Sequence, residues 1–339
     1  MKTKHNIELT SAEIASLWTS YQQDSLSICT IEFFLLNIKD REISTILKHA
    51  LKLSQAHIQK LEAFFQKEEY PIPHGFSLEE DVNLESPRLF ADDFYLFYIQ
   101  NMGKIGMEGN TIALCNSARL DISEYYTECL NESSKLYNMS TGVMLSKGLF
   151  IRSPYIPKPK MVEYVQKQSY LAGKINRRPL NVIETSNIYF NLIQNQLGRT
   201  LAMGFSQVAK SQSVRDYMIR GMDISDKQVE VFGSILSEDH LPSASSWSTL
   251  PTDSTVAAFS DKLLMAHFNA LNAAGIGHYG RSLSQSPRRD LGAHYIRLMA
   301  EIVKFAEDGA NIMIDNSWLE QPPLAADRNK LAKHKKKEG

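Results

Sequence analysis

The second half of this chain repeats the first. Shifting the sequence by 169 residues lays Phe90 on Phe259, Asp92 on Asp261, Gly106 on Gly275, Leu114 on Leu283, Glu132 on Glu301, Lys135 on Lys304, Met144 on Met313 and Pro154 on Pro323. Nearer the N-terminus the shift is 171, with Leu9 on Leu180, Glu13 on Glu184, Phe34 on Phe205, Lys39 on Lys210, Ser54 on Ser225 and Pro71 on Pro242. The change of register puts a two-residue deletion in the second copy, around Ser243-Ala244-Ser245-Ser246 and Pro251, where no core packing would be disturbed. The most distinctive repeated stretch is Ser117-Ala118-Arg119-Leu120-Asp121-Ile122 against Ser286-Pro287-Arg288-Arg289-Asp290-Leu291. Ring side chains follow both, at Tyr125-Tyr126 and His294-Tyr295. A chain written this way must build the same architecture twice.

That architecture is helical. Thr10 and Glu13 have capping-box spacing, and Ile14, Leu17, Trp18, Tyr21, Ile28, Ile31, Phe34, Leu35 and Ile38 then recur in steps of three and four. Asp40 reads as the next N-cap, ahead of a stripe through Ile43, Ile46, Leu47, Ala50, Leu51, Ser54, Ile58, Leu61 and Phe65. Tyr70-Pro71-Ile72-Pro73 stops it, because proline lacks the amide hydrogen and forces its predecessor out of helical geometry. A long crossover with Glu79-Glu80-Asp81 leads to a third stripe at Phe94, Phe97, Tyr98, Met102, Ile105 and Ile112. A fourth follows at Ile122, Tyr126, Cys129, Leu130, Leu136, Val143 and Met144. Ser117 and Ser286 read as N-caps of the fourth helices, with Pro287 in the first helical turn and Asp121 and Asp290 near the positive helix end. In the second copy the helices are expected over 181–209, 211–238, 257–285 and 287–317.

The expected fold class is therefore all-α: two tandem ferritin-like four-helix bundles related by internal duplication, the long connection falling between the second and third helices of each. The expected boundaries are 8–150 for the first bundle, 151–179 for a proline-containing linker in which 161–171 forms a short helix, 180–323 for the second bundle, and 324–339 for a lysine-rich tail. At 339 residues the chain suits two helical cores rather than one. A net charge of −1 gives no field to steer it to nucleic acid, and no run of about 18 apolar residues exists to span a membrane. The N-terminal Met1-Lys2-Thr3-Lys4-His5-Asn6 has no apolar stretch behind it, so no secretory signal is expected and the location reads as cytoplasmic. Cys29, Cys115 and Cys129 lack any C-x-x-C spacing and read as ordinary buried residues.

Di-metal four-helix proteins use Glu-x-x-His pairs, but no glutamate here has histidine three residues later, so neither a di-metal centre nor any other cofactor is expected. A metal-ligating alternative is His267, His278, Asp290 and His294. His267 and His278 share a helical face, His278 and His294 lie eight residues either side of Ser286, and Asp290 is one turn from His294. The first copy has Tyr98, Gly109 and Tyr125 in place of the three histidines. His57, replaced by Gln228 in the second copy, reads as a polar residue flanking the buried stripe. Glu124, Glu128 and Glu132 read as a like-charged row on an open face. Ala274-Gly275-Ile276-Gly277-His278-Tyr279-Gly280 follows no strand, so it is not a dinucleotide loop.

Several short motifs resemble a known family. They are Pro87-Arg88-Leu89-Phe90, Leu145-Ser146-Lys147-Gly148-Leu149, Pro154-Tyr155-Ile156-Pro157, Phe205-Ser206-Gln207-Val208-Ala209-Lys210, Asp253-Ser254-Thr255-Val256 and Ala306-Glu307-Asp308-Gly309-Ala310-Asn311-Ile312-Met313. The resemblance spans residues 8–330 and is to an uncharacterised family of endospore-forming bacteria that carries a ferritin-like module in tandem and is loosely grouped with spore-coat proteins of the coat protein F type. It implies a non-enzymatic structural or interaction protein, connected with sporulation or the spore coat, that works through protein partners or self-association. It supplies no catalytic residue.

Overall fold

Four apolar stripes per repeat, each bounded by a cap or by proline, give four long helices per repeat. The computed structural model describes residues 7–173, 177–243 and 246–334. The first repeat contains α1 (Ser11–Asn37), α2 (Arg41–Lys67), a one-turn α3 in the crossover (Leu78–Asp81), α4 (Asp92–Cys115) and α5 (Leu120–Ser146). The second contains α6 (Val182–Val208), α7 (Gln212–Glu238), α8 (Asp261–Gln285) and α9 (Arg289–Asp315), and α10 (Arg328–His334) follows. Consecutive helices pack as hairpins, α1 on α2, α4 on α5, α6 on α7 and α8 on α9, and within each repeat the two hairpins pack on each other. The chain is all-α with an internal duplication.

Local chemistry sets the helix ends. The Thr10 hydroxyl accepts from the Glu13 amide, and Glu13 accepts from the Thr10 amide at 2.8 Å, which completes the capping box; Asn181 and Glu184 repeat it. Asp40 caps α2 as expected. The caps of the fourth helices differ from expectation. Their N-cap residues are Arg119 and Arg288, not Ser117 and Ser286, and neither cap is made by its own side chain. Glu13 reaches across from α1 and accepts from the amides of Ala118 (3.0 Å) and Arg119 (2.9 Å); Glu184 accepts from the Arg288 amide (3.2 Å). A carboxylate at a helix N-terminus satisfies orphan donors and opposes the dipole, so the serines are not needed there. The Ser117 hydroxyl instead donates back to the Ala113 carbonyl.

The repeats clasp through their crossovers. Asn83 N–H donates to Ala258 O and Thr252 N–H to Leu89 O, both at 2.9 Å. Ala91 N–H donates to Leu250 O (2.8 Å) and Ser260 N–H to Asp81 O (2.9 Å). Each bond in these two pairs is the other shifted by 169 residues, and so are the isolated antiparallel bridges Val82–Phe259 and Phe90–Pro251. The pattern is that of a two-fold axis between the repeats. Since the 169-residue register already holds at Asp81 and Leu250, the deletion lies between Pro242 and Leu250; Ala244 and Ser245 there are outside the described residues. On the axis itself, Tyr98 meets the residue that aligns with it, His267, at 2.7 Å between Oη and Nε2.

This clasp changes the expected core. One apolar cluster draws on both repeats, including Phe33, Phe34, Phe90, Phe94 and Phe97 from the first and Phe205, Trp247, Phe259, Met265 and Phe268 from the second. Smaller clusters fill the outer ends, around Leu17, Leu61, Phe65 and Ile122 in one and Ile188, Leu192, Phe232 and Leu298 in the other. The C-terminal half of α1 is therefore buried nearly all round, and Phe33 packs on Phe259 with ring centroids 4.8 Å apart. Gly204, the counterpart of Phe33, receives Phe90 so closely that an added Cβ would lie 2.4 Å from its ring.

The linker also differs from expectation. Residues 161–167 form no helix, and only a 3-10 turn, Gln168–Leu171, is present. Their apolar side chains meet no partner, and a short helix without a packed face is marginal. The tail forms α10 at Arg328–His334, while Lys335, Lys336 and Lys337, like the N-terminal Met1 to Asn6, lie outside the described residues.

Candidate functional site

Within the first repeat, three helices bring acid, imidazole and thiol together. His57 on α2 points into the bundle, and its Nε2 lies 2.7 Å from Glu132 Oε2 on α5. Its Nδ1 lies 3.3 Å from Asp24 on α1. Cys129 is buried one turn before Glu132, so both face the same way from α5. The Tyr125 ring stands edge-on to the imidazole, with centroids 6.1 Å apart. The ligand-capable atoms of His57, Cys129 and Glu132 all lie within 4.8 Å of one another. Among the described residues this is the one group of three such side chains that converges.

The electrostatics are those of a buried charge held by partners. Burial works against charge on the His57 ring, but the Asp24 carboxylate and the Cys129 sulfur hold its pKa up, at about 11. Glu132 has a second aspect: with Ser123, Thr127, Glu128 and Asn131 it lines a shallow groove along the outside of α5. Lys60 pairs with Glu128 beside it.

The second repeat answers with neutral groups. Asn195, Gln228 and Leu298 occupy the places of Asp24, His57 and Cys129, and only Glu301 matches Glu132. Asn195 donates to Tyr279 Oη (2.7 Å), which donates to Gln228 Oε1 (2.6 Å). These residues line a partly open cavity of about 70 Å³ together with Asn191 and Asn272. Gln228 Nε2 and Asn191 Oδ1 have no partner among the described residues.

The four residues singled out from sequence are not gathered. His267 is spent on the axis in a hydrogen bond with Tyr98, and burial lowers its pKa to about 4, so the ring there is neutral. His278 Nε2 lies 2.8 Å from Glu108 of the other repeat. Asp290 takes both its oxygens to Arg288, at 3.0 and 2.6 Å. His294 is half-buried, with Arg297 3.5 Å away; burial first, then that guanidinium, lowers its pKa. Helical spacing placed the histidines on plausible faces, but each face looks at a different neighbour.

Two residues were misread in the other direction. His57 is central rather than flanking, and Glu132 belongs to the interior as well as to the carboxylate row. The readable signal was the joint replacement of Asp24, His57 and Cys129 by neutral residues in the second copy. The paired Arg-x-Asp motif proves structural. Arg119 is bidentate to Asp121 and reaches Glu68; Arg288 is bidentate to Asp290 and lies 3.7 Å from Asp239.

No curated protein matches the chain. A solved structure described as a putative spore coat protein from Bacillus halodurans C-125 is similar at 17% identity with a TM-score of 0.41, over 44% of this chain and 98% of that one. Residues 1–162 and 169–331 each match the family described as "Protein of unknown function (DUF3231)", and the chain belongs to that family as a tandem pair of its units.

Proposed function

We infer that this is a non-enzymatic structural or interaction protein, associated with the spore, whose joining segment engages a protein partner. The carrying observation is the stretch after α5. Tyr155, Met161, Val162, Tyr164 and Val165 are between 62% and 86% exposed. Single exposed apolar residues are ordinary on a protein surface, but five within eleven residues of an extended segment are not. Pro154, Pro157 and Pro159 stiffen the start of the segment, which lowers the entropy lost when a partner's apolar groove receives it. No described helix is long and apolar enough to cross a membrane, so the partner rather than a span would set the location. Spore association rests on the family motifs in the sequence.

The test is a fluorescent fusion followed through sporulation in the native host, beside a variant with these five residues changed to serine. Wild-type protein is expected to concentrate at the developing spore and to crosslink to a defined partner. The variant should lose both while keeping its melting temperature. Uniform fluorescence of the wild type, or a variant that localises and crosslinks as well as wild type, contradicts the reading.

A further inference from the structure

Going beyond that reading, we propose that the first repeat binds one zinc-class divalent ion through His57 Nε2, Cys129 Sγ and a Glu132 carboxylate oxygen, with Asp24 positioning the imidazole. Imidazole, thiolate and carboxylate are the donors this ion class prefers, and their mixture favours zinc over magnesium or calcium. With bonds of about 2.0–2.3 Å, a tetrahedral ion needs donors roughly 3–4 Å apart. The donor atoms here already lie within 4.8 Å of one another. All three sit on the packed helices α2 and α5, which leaves about 1 Å to close.

The surroundings of the ring point the same way. A metal-bound histidine holds its other nitrogen as N–H against a carboxylate, which fixes tautomer and orientation. Asp24 lies on Nδ1 and leaves Nε2 for the ion, on the side where Glu132 sits. Glu132 is 27% exposed and lines the groove outside α5, so the site borders solvent on that side. A bare Asp24–His57–Glu132 ion triad would account for the two carboxylates. Packing in the outer apolar cluster accounts for the burial of Cys129; what a metal site adds is a reason for its sulfur to lie within reach of both other donors.

The second repeat is an internal control. Gln228 and Leu298 cannot supply the imidazole and the thiolate, so the stoichiometry is one ion per chain rather than two.

Full-length, tag-free protein is stripped with a chelator and titrated with Co²⁺, then competed with Zn²⁺. One Co²⁺ per chain is expected, with a thiolate-to-cobalt charge-transfer band in the near ultraviolet that zinc abolishes. Cys129→Leu and His57→Gln import residues that the second repeat carries at these positions; the first should remove the band and the second the binding, with helical circular dichroism retained. Cys129→Ser serves as a second sulfur-free variant should the leucine disturb folding. Asp24→Asn, a change at a positioning residue, should keep the band and weaken affinity by about 10–100-fold. His278→Gln should change nothing. Absence of binding at excess cobalt, two ions per chain, or a band and affinity unaltered in Cys129→Leu and His57→Gln would each overturn the proposal.

Discussion

Replacing Arg288 by alanine should be among the most damaging single changes available in the second repeat. Its guanidinium is fully buried, binds both oxygens of Asp290, donates to the Arg178 carbonyl at 3.2 Å and lies 3.7 Å from Asp239. Truncation leaves Asp290, whose side chain is 12% exposed, without its countercharge, and leaves the carbonyl without this donor. Removing one member of a buried pair costs about 3–5 kcal/mol, most of it the burden of the stranded charge. Arg119 makes the matching bonds, but its partner Asp121 is 35% exposed, so water can replace the guanidinium. There the loss should be nearer about 1.5–3 kcal/mol, the worth of hydrogen bonds to a charged group. Each kcal/mol moves the melting point of a unit this size by about 2–4 °C. Thermal unfolding followed by circular dichroism should then show a drop of about 6–20 °C for Arg288→Ala and a clearly smaller one for Arg119→Ala. Arg288→Lys should recover only part, since an ammonium cannot span both carboxylate oxygens. Equal losses at the two positions, or a loss below about 1 kcal/mol at Arg288, would refute the idea that this pair closes the helix end.

Two other outcomes follow from the same structure. Burial pushes the carboxyl pKa values of Glu13, Glu184 and Asp290 up, but hydrogen bonds bring all three below their ordinary values: backbone amides of Thr10, Arg119 and Ala118 for the first, Arg178 for the second, Arg288 for the third. A lowered folded-state pKa contributes stability that is present above the unfolded value and lost as pH falls through the folded one, so denaturant midpoints should hold near neutrality and fall progressively below about pH 4. Cys115 is exposed, whereas Cys29 and Cys129 are buried and burial pushes the Cys29 thiol up to about 12. A disulfide reagent should therefore titrate one thiol quickly in the native protein and all three in denaturant, and two or more fast native thiols would contradict the packing.

The fold was legible where information is local or repeated. Thr10 with Glu13 and Asp40 declare their helix starts from spacing alone, and the 169-residue register reappears bond for bond in the crossovers. The caps of α5 and α9 were not legible because the capping carboxylates, Glu13 and Glu184, arrive from helices about a hundred residues earlier. The shared central core was hidden for a related reason. An apolar stripe shows that a face is buried but not which neighbour buries it, so Phe33 gave no sign of Phe259. The candidate metal site was missed because its donors come from separate helices, and a search for Glu-x-x-His inspects one helix at a time. Cys129 and Glu132 have the right i,i+3 spacing, but cysteine in an apolar stripe reads as core.

The central claim is that one helical module occurs twice and that the two copies clasp through paired crossovers. Residue-resolved hydrogen exchange tests it most directly, at the amides of Asn83, Ala91, Thr252 and Ser260, which donate to backbone carbonyls of the other repeat. The clasp predicts that all four are protected to a degree approaching that of the helix interiors, and that Asn83 with Thr252, and Ala91 with Ser260, exchange as matched pairs. Exchange at the rate of open surface loops would mean that the repeats do not meet in this way.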